Sequence, residues 1–175
     1  CVLGTSWQSP GLQRGVIPYP VGGTIESAAN GEPKVQYQRK SRVVVTIPKT
    51  AMPANGYPIM HYHHGTGGLA SQVYERGYTN AVGEQNWTGS PAQVAAQRGW
   101  AASGMAGHLG AEHQQQLGPL DLLFEQIPQF TLNHLGYNFI NPLAMRDNLA
   151  QMVTERSLFR KLMMQQRIDG ALCPG

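Results

Sequence analysis

Hydrophobic residues in the first two thirds of the chain form short runs rather than long periodic stretches. Residues 41–48 are rich in valine and other β-branched residues and end at a proline, which is typical of a strand. Residues 59–63, after an Asn–Gly turn signal, are predicted as a second strand, and residues 100–103 as a third, buried strand. Residues 1–33 are rich in glycine and proline, so we expect loops there and at most one or two short strands.

Two segments carry the signals of a helix start. Ser90 followed by Pro91 combines an N-cap residue with proline at the first helical position, and Gly99 fits the left-handed end of the helix. These residues predict a helix over 91–98. A second helix is predicted over 141–166, because an asparagine–proline pair is followed by apolar residues at helical spacing. The stripe predicted to face the core consists of Leu149, Met152, Val153, Phe159, Leu162 and Met163.

Strands, glycine loops and helices alternate through the middle of the sequence. This order predicts an α/β fold with a mostly parallel sheet and flanking helices. Residues 69–89 are mixed and polar, which predicts a long loop. Residues 111–140 contain a glutamine run and two prolines, so we expect an irregular excursion that could form a lid.

The composition is that of one folded domain in a chain of 175 residues. Hydrophobic residues make up 41% and charged residues 13%, and this balance excludes an intrinsically disordered chain. The net charge of +3 comes from basic residues scattered along the sequence, so we expect no nucleic-acid partner. No apolar run approaches the roughly 18 residues that a membrane-spanning helix needs.

The two cysteines, Cys1 and Cys173, leave three interpretations open. They could pair with each other and tie the two ends of the chain together, or Cys173 could pair with a later segment. Cys1 could instead carry the lipid anchor of a bacterial lipoprotein. The low charge and the presence of only four lysines favour a secreted or cell-envelope protein.

Three histidines, His61, His63 and His64, stand within four positions. Metal ligands must converge on one point, and no aspartate or cysteine nearby completes such a set. We therefore expect no metal and interpret these histidines as structural or loop-supporting. The glycine loops after the strands lack the Gly-x-Gly-x-x-Gly spacing of a dinucleotide site, and we expect no cofactor.

The second predicted strand runs directly into the segment His64-Gly-Thr-Gly-Gly68. Residues 59–68 resemble the oxyanion-hole strand and His-Gly-x-Gly loop of the α/β-hydrolase superfamily of esterases and lipases. Residues 93–110, with Arg-Gly-Trp-Ala-Ala-Ser, look like the helix and following strand of these enzymes. Residues 141–148 look like the helix start that leads, in some bacterial members, into the strand before the nucleophile. The three matches occur in the family's order.

The resemblance implies a role for each residue of this loop. In serine esterases, backbone N–H groups stabilise the negative charge that develops on the carbonyl oxygen of the substrate. One donor comes from this loop and another from the residue after the nucleophile. By resemblance, Thr66 or Gly67 supplies the loop's donor, while His64, Gly65 and Gly68 support the loop.

No Gly-x-Ser-x-Gly nucleophile motif occurs in the sequence. We therefore expect residues 1–175 to be the N-terminal part of a single α/β-hydrolase domain, inactive alone. Its partner would be the C-terminal half that carries the nucleophile, and its substrate a small carboxylic ester or related acyl compound. The alternative is a non-catalytic protein of the same fold that serves in binding or assembly.

Overall fold

A computed structural model describes residues 1–11, 23–65, 68–86, 88–107, 137 and 141–165. Its elements in chain order are β1 (Val2–Gly11), β2 (Tyr37–Thr46), β3 (Ile59–Tyr62), α1 (Gln72–Glu75), β4 (Tyr78–Thr79), β5 (Gln85–Asn86), α2 (Pro91–Gln97), β6 (Ala101–Met105) and α3 (Pro142–Gln165). The described strands form a four-stranded sheet in the order β1-β2-β6-β3 and a separate hairpin of β4 and β5.

The four-stranded sheet is mixed, which corrects the expectation of a mostly parallel sheet. Strand β2 runs antiparallel to both of its neighbours, β1 and β6. Only β3 and β6 are parallel, and helices α1 and α2 lie between them along the chain, as a parallel crossover requires. The described chain thus has an α/β architecture in which β6 pairs in parallel with β3 and antiparallel with β2.

Strand β1 is longer than its glycine and proline content predicts. Its ten residues pair along the whole of β2, from Val2 opposite Thr46 to Gly11 opposite Tyr37. Proline is tolerated here because β1 lies at the edge of the described sheet, where one side of the strand forms no ladder. The expectation of loops with short strands was therefore wrong for this segment.

The predicted helix starts are confirmed by their hydrogen bonds. The Ser90 hydroxyl accepts the backbone N–H of Gln93 at 3.3 Å, and Gly99 ends the turn with a φ of 72°. The Asn141 side chain accepts the N–H of Ala144 at 3.1 Å at the start of α3. The segment predicted as one long loop between β3 and α2 contains the short helix α1 and the β4–β5 hairpin.

Side chains alternate between two cores on the two faces of the sheet, as the period of a strand requires. One face packs against α1 and α2 through Val44, Ala70, Val73, Ala92, Ala95, Ala102 and Ala106. The other face packs against α3 through Val43, Val45, Met105 and Phe159. The described part of the chain therefore forms three layers, with helices on both faces of the sheet.

The predicted apolar stripe of α3 is only partly correct. Phe159 is buried, but the side chains of Leu149 and Val153 are 43% and 60% exposed. The face that α3 buries is mostly polar, and consists of Ala144, Asp147, Asn148, Gln151, Glu155 and Phe159. One of these residues, Asp147, joins this face to the chain before β2, because its carboxylate accepts the N–H of Ile25 at 2.8 Å.

Cys1 is disulfide-bonded, so its sulfur is not free to carry a lipid, and the lipoprotein interpretation is dropped. Cys173 lies outside the described residues, as does almost all of the expected excursion at 111–140. Among the helices of the described ranges, none has the length and apolar character needed to cross a bilayer.

Candidate functional site

His64 lies at the centre of the segment that follows β3. Its side chain is only 5% exposed, and both ring nitrogens have polar partners. Nδ1 lies 2.6 Å from the carbonyl oxygen of Gly65. Nε2 lies 3.0 Å from the carbonyl oxygen of Met105, and the N–H of Gly107 points to it at 3.4 Å. The imidazole thus joins the loop after β3 to the end of β6.

The shorter distance, from Nδ1 to the Gly65 carbonyl oxygen, favours a hydrogen on Nδ1 of His64. A bare Nδ1 would set its lone pair against the Gly65 carbonyl oxygen, whereas an N–H donates to it. Nε2 faces a second carbonyl oxygen, that of Met105, and the N–H of Gly107. The contact between Nδ1 and the Gly65 carbonyl oxygen is the shorter of the two contacts with carbonyl oxygens.

The two described glycines of the loop have opposite surroundings. A Cβ atom added to Gly68 would lie 2.5 Å from Cβ, Cγ and Nδ1 of His64, so only glycine fits against the ring. A Cβ atom on Gly65 would meet nothing within 4 Å. The N–H of Gly68 donates to the Gly65 carbonyl at 3.2 Å and closes a turn. Thr66 and Gly67, the expected donors, lie outside the described residues.

Arg156 of α3 contacts this loop at the backbone of His64. Its Nη2 donates to the carbonyl oxygen of His64 at 2.8 Å, across 92 positions of sequence. Burial lowers the pKa of the guanidinium from its ordinary value, and the neighbouring Glu155 carboxylate opposes that effect. Glu155 is itself fully buried and accepts the side-chain N–H of Gln151 at 2.6 Å.

A histidine–serine pair lies on the neighbouring strands β3 and β6. His61 and Ser103 are opposite each other on β3 and β6, and Nδ1 of His61 lies 2.7 Å from the serine Oγ. Such a pair has the composition of a nucleophile and its base, but Ser103 has no exposed surface for a substrate to reach. The His61 ring packs edge-on against Phe159, with ring centroids 5.8 Å apart. We interpret this pair as structural.

His61 of β3 and His63, which follows the strand, are both partly buried and lie near arginine charges. Burial lowers the pKa of His61, and the charge of Arg160 lowers it further. Burial also lowers the pKa of His63, with further contributions from Arg156 and the two neighbouring histidines. Both imidazoles therefore favour the neutral form. Among the described residues, no group of three or more histidine, cysteine, aspartate or glutamate side chains could hold a metal ion.

The structure brings His64 and Gly68 into contact, and it adds partners that the sequence pattern did not indicate. The loop lies between β3 and α1, immediately after a strand and before a helix. No short sequence motif marks Arg156, because its contact with His64 joins two distant segments of the chain. The His61–Ser103 pair depends on the register of two strands, which no short motif records.

Comparisons with family models, curated proteins and solved structures find no significant match to this chain.

Proposed function

We propose that this chain supplies the oxyanion-hole loop of a serine ester hydrolase. The loop consists of residues 64–68, and its task is to hold backbone N–H groups toward the carbonyl oxygen of an ester. Removing one such donor typically costs on the order of 3 kcal/mol of transition-state stabilisation. The nucleophile and its base would come from a C-terminal half that is not part of this sequence, and the substrate would be a small carboxylic ester or related acyl compound.

The observation that carries the proposal is the hydrogen bond from the His64 ring to the Gly65 carbonyl. In a planar trans peptide the C=O and the following N–H point in opposite directions. The next N–H along the chain belongs to Thr66, the first of the two donors that the resemblance implies. We propose that holding the Gly65 carbonyl against the buried ring serves to make this donor available to a substrate oxygen.

The location of the loop supports the same function. In α/β-hydrolases one oxyanion donor comes from the loop that joins a strand to the first helix of the fold. Here residues 64–68 belong to the segment between β3 and α1, the first helix of the described chain. The fit of Gly68 against His64 leaves no room for a side chain there, so the loop can pack closely on its support.

Two surfaces support a further half as the partner. Within the described part of the chain, β3 forms no strand pairing on its side away from β6. Unpaired strand edges of this kind accept another strand. Leu149 and Val153 expose apolar side chains one turn apart on α3. We propose that the half carrying the nucleophile covers the strand edge, the helix face, or both.

A secreted or cell-envelope location is proposed as well. A disulfide at Cys1 supports it, because disulfides persist mainly in oxidising compartments.

The test uses the natural protein that contains this chain, with its intact mass measured first, and a p-nitrophenyl ester as substrate. We expect turnover by that protein and none by the isolated 175-residue chain. Thr66→Ala keeps the backbone donor and should leave kcat nearly unchanged. Thr66→Pro removes the donor and should lower kcat roughly 100-fold, if the donor is worth about 3 kcal/mol.

Gly67→Pro provides the matched test of the second candidate donor. Circular dichroism and Tm must remain near those of the unmodified protein before the rates are compared. If folded Thr66→Pro and Gly67→Pro enzymes both keep full kcat, the loop has no part in the mechanism. If the natural protein neither hydrolyses the ester nor reacts with a fluorophosphonate, the result favours the alternative, a non-catalytic binding component.

A further inference from the structure

The orientation of the His64–Gly65 peptide is set from outside the loop. The carbonyl oxygen of His64 accepts a hydrogen bond from the side chain of Arg156, a residue of helix α3. The peptide is trans, because the described residues contain no cis peptide bond. Its N–H, which belongs to Gly65, must therefore point away from the guanidinium.

The Gly65 N–H is a free donor as far as the described residues show. It makes no hydrogen bond within the described part of the chain, whereas the Gly68 N–H is used in the turn. Gly65 is exposed, and nothing would lie within 4 Å of an added Cβ atom. The space that a side chain of this residue would fill is therefore open.

We propose that Arg156 is a positioning residue of the candidate oxyanion loop: it holds the His64 carbonyl toward α3 and so turns the Gly65 N–H outward as an additional donor. This inference rests on the proposed function for its catalytic consequence. The orientation of the peptide itself depends only on the contact between Arg156 and His64.

The surroundings of Arg156 suit this task. An arginine remains charged even when partly buried, and a charged donor forms a stronger hydrogen bond than a neutral one. The buried Glu155 carboxylate attracts the guanidinium, and Gln151 holds that carboxylate in place. The donor is therefore anchored on a helix rather than on a mobile loop, as a precise site requires.

Arg160 offers a matched control on the same helix. It lies one turn after Arg156, carries the same charge and is exposed. It makes no hydrogen bond or ion pair within the described residues. Arg160→Gln therefore removes an equal charge near the loop without removing a contact to the His64 carbonyl.

The experiment measures the carbonyl carbon shift of His64 and the amide exchange of Gly68 and Gly107 in the full chain. In Arg156→Gln the His64 carbonyl carbon should shift upfield, because it loses a charged donor. Exchange at the two amides should accelerate on the order of tenfold. Arg156→Lys, which keeps a charged donor, should fall between, and Arg160→Gln should match the unmodified chain.

In the complete esterase, Arg156→Gln should lower kcat on the order of tenfold at unchanged KM, while Arg160→Gln changes neither. An unchanged His64 shift in folded Arg156→Gln, or an equal shift in Arg160→Gln, overturns the positioning role. If the shift changes as expected but the natural protein hydrolyses no ester, the proposed function fails and the placement of the peptide by Arg156 stands. Should Arg156→Gln not fold, the Arg156→Lys shift decides the same question.

Discussion

The two faces of the sheet are built by different chemistry. On the side of α1 and α2, the buried cluster consists of alanine and valine, packed by Met60, Tyr62 and Tyr74 at its margin. On the side of α3, the valines and Phe159 share the interior with fully buried amide and carboxylate side chains. This second face, called the polar face below, also carries the pairs His61–Ser103 and Arg156–His64.

The two faces therefore contribute differently: one mainly stabilises the fold, and the other fixes the positions of side chains. An alanine and valine cluster gains free energy by excluding water, and its contacts have little directional preference. Buried polar groups gain little net free energy but demand defined partners, so they fix geometry. The candidate site is joined to the polar face through Arg156, which is where fixed geometry is needed.

The largest expected effect is the loss of the aromatic residue that anchors α3. Phe159 is 1% exposed and packs on Val43, Val45 and Met105. Phe159→Ala should lower the free energy of unfolding by about 3–5 kcal/mol, measured by urea denaturation. Val153→Ala, on the exposed side of the same helix, should change it by no more than about 0.5 kcal/mol. Equal losses in the two variants would mean that α3 packs through a different face.

A second pair of variants compares close glycine contacts on the two faces. A Cβ atom on Gly104 would lie 2.5 Å from the backbone oxygen of Ala70, and one on Gly68 would collide with the ring of His64. Gly104→Ala and Gly68→Ala should each cost about 1–3 kcal/mol of stability by urea denaturation.

The two glycine variants should differ in their effect on the site. Only Gly68→Ala should move the His64 ring and shift its imidazole NMR signals. Gly65→Ala, where a Cβ meets nothing within 4 Å, is the tolerated control for both measurements. His64 signals that move in Gly104→Ala but not in Gly68→Ala would contradict the division between the faces.

The helix caps should give a smaller and more equal effect. Ser90→Ala and Asn141→Ala each remove one side-chain acceptor from the first turn of a helix, α2 in one case and α3 in the other. Each should lower the free energy of unfolding by about 1 kcal/mol in the same assay. A much larger loss at Asn141 would show that its side chain does more than cap α3.

The smallest effect is a pH dependence confined to the polar face. The lowered pKa values of His61 and His63 mean that the folded protein binds these protons less tightly than the unfolded chain, where the value is near 6.5. Their stabilising contribution is therefore complete above that value and is lost as the pH falls through the lowered values of the folded state.

Urea denaturation at about pH 7.5 and about pH 5 should thus show lower stability at the acidic pH, and less of a difference in a His61→Gln, His63→Gln variant. The histidines would be irrelevant to this dependence if the double variant kept the full difference of the unmodified protein.

Local signals predicted the local structure well. The caps at Ser90 and Asn141 and the end of α2 at Gly99 are properties of neighbouring residues, and all were read from the sequence. Strands β2 and β3 were predicted for the same reason. The direction of β2 and the length of β1 depend on pairing between distant segments, which the pattern of one strand does not contain.

Only part of the candidate site carries a sequence signal. The His64–Gly68 segment stands out because a histidine and three glycines after a strand form a short motif. The contact of Arg156 with His64 spans 92 positions and has no such motif. The buried face of α3 was not predicted from apolar spacing, because that face carries polar residues such as Asp147, whose carboxylate accepts the N–H of the distant Ile25.

The alanine-rich face also shapes how the protein responds to temperature. Five of its seven buried residues are alanine, and each exposes only one methyl group of side chain when the protein unfolds. The heat capacity of unfolding grows with the apolar area that becomes hydrated, so this face adds little curvature to the stability curve. The small side chains instead let helix and sheet approach closely, which favours dispersion contacts. Cooling weakens such contacts less than it weakens the release of water from large apolar side chains.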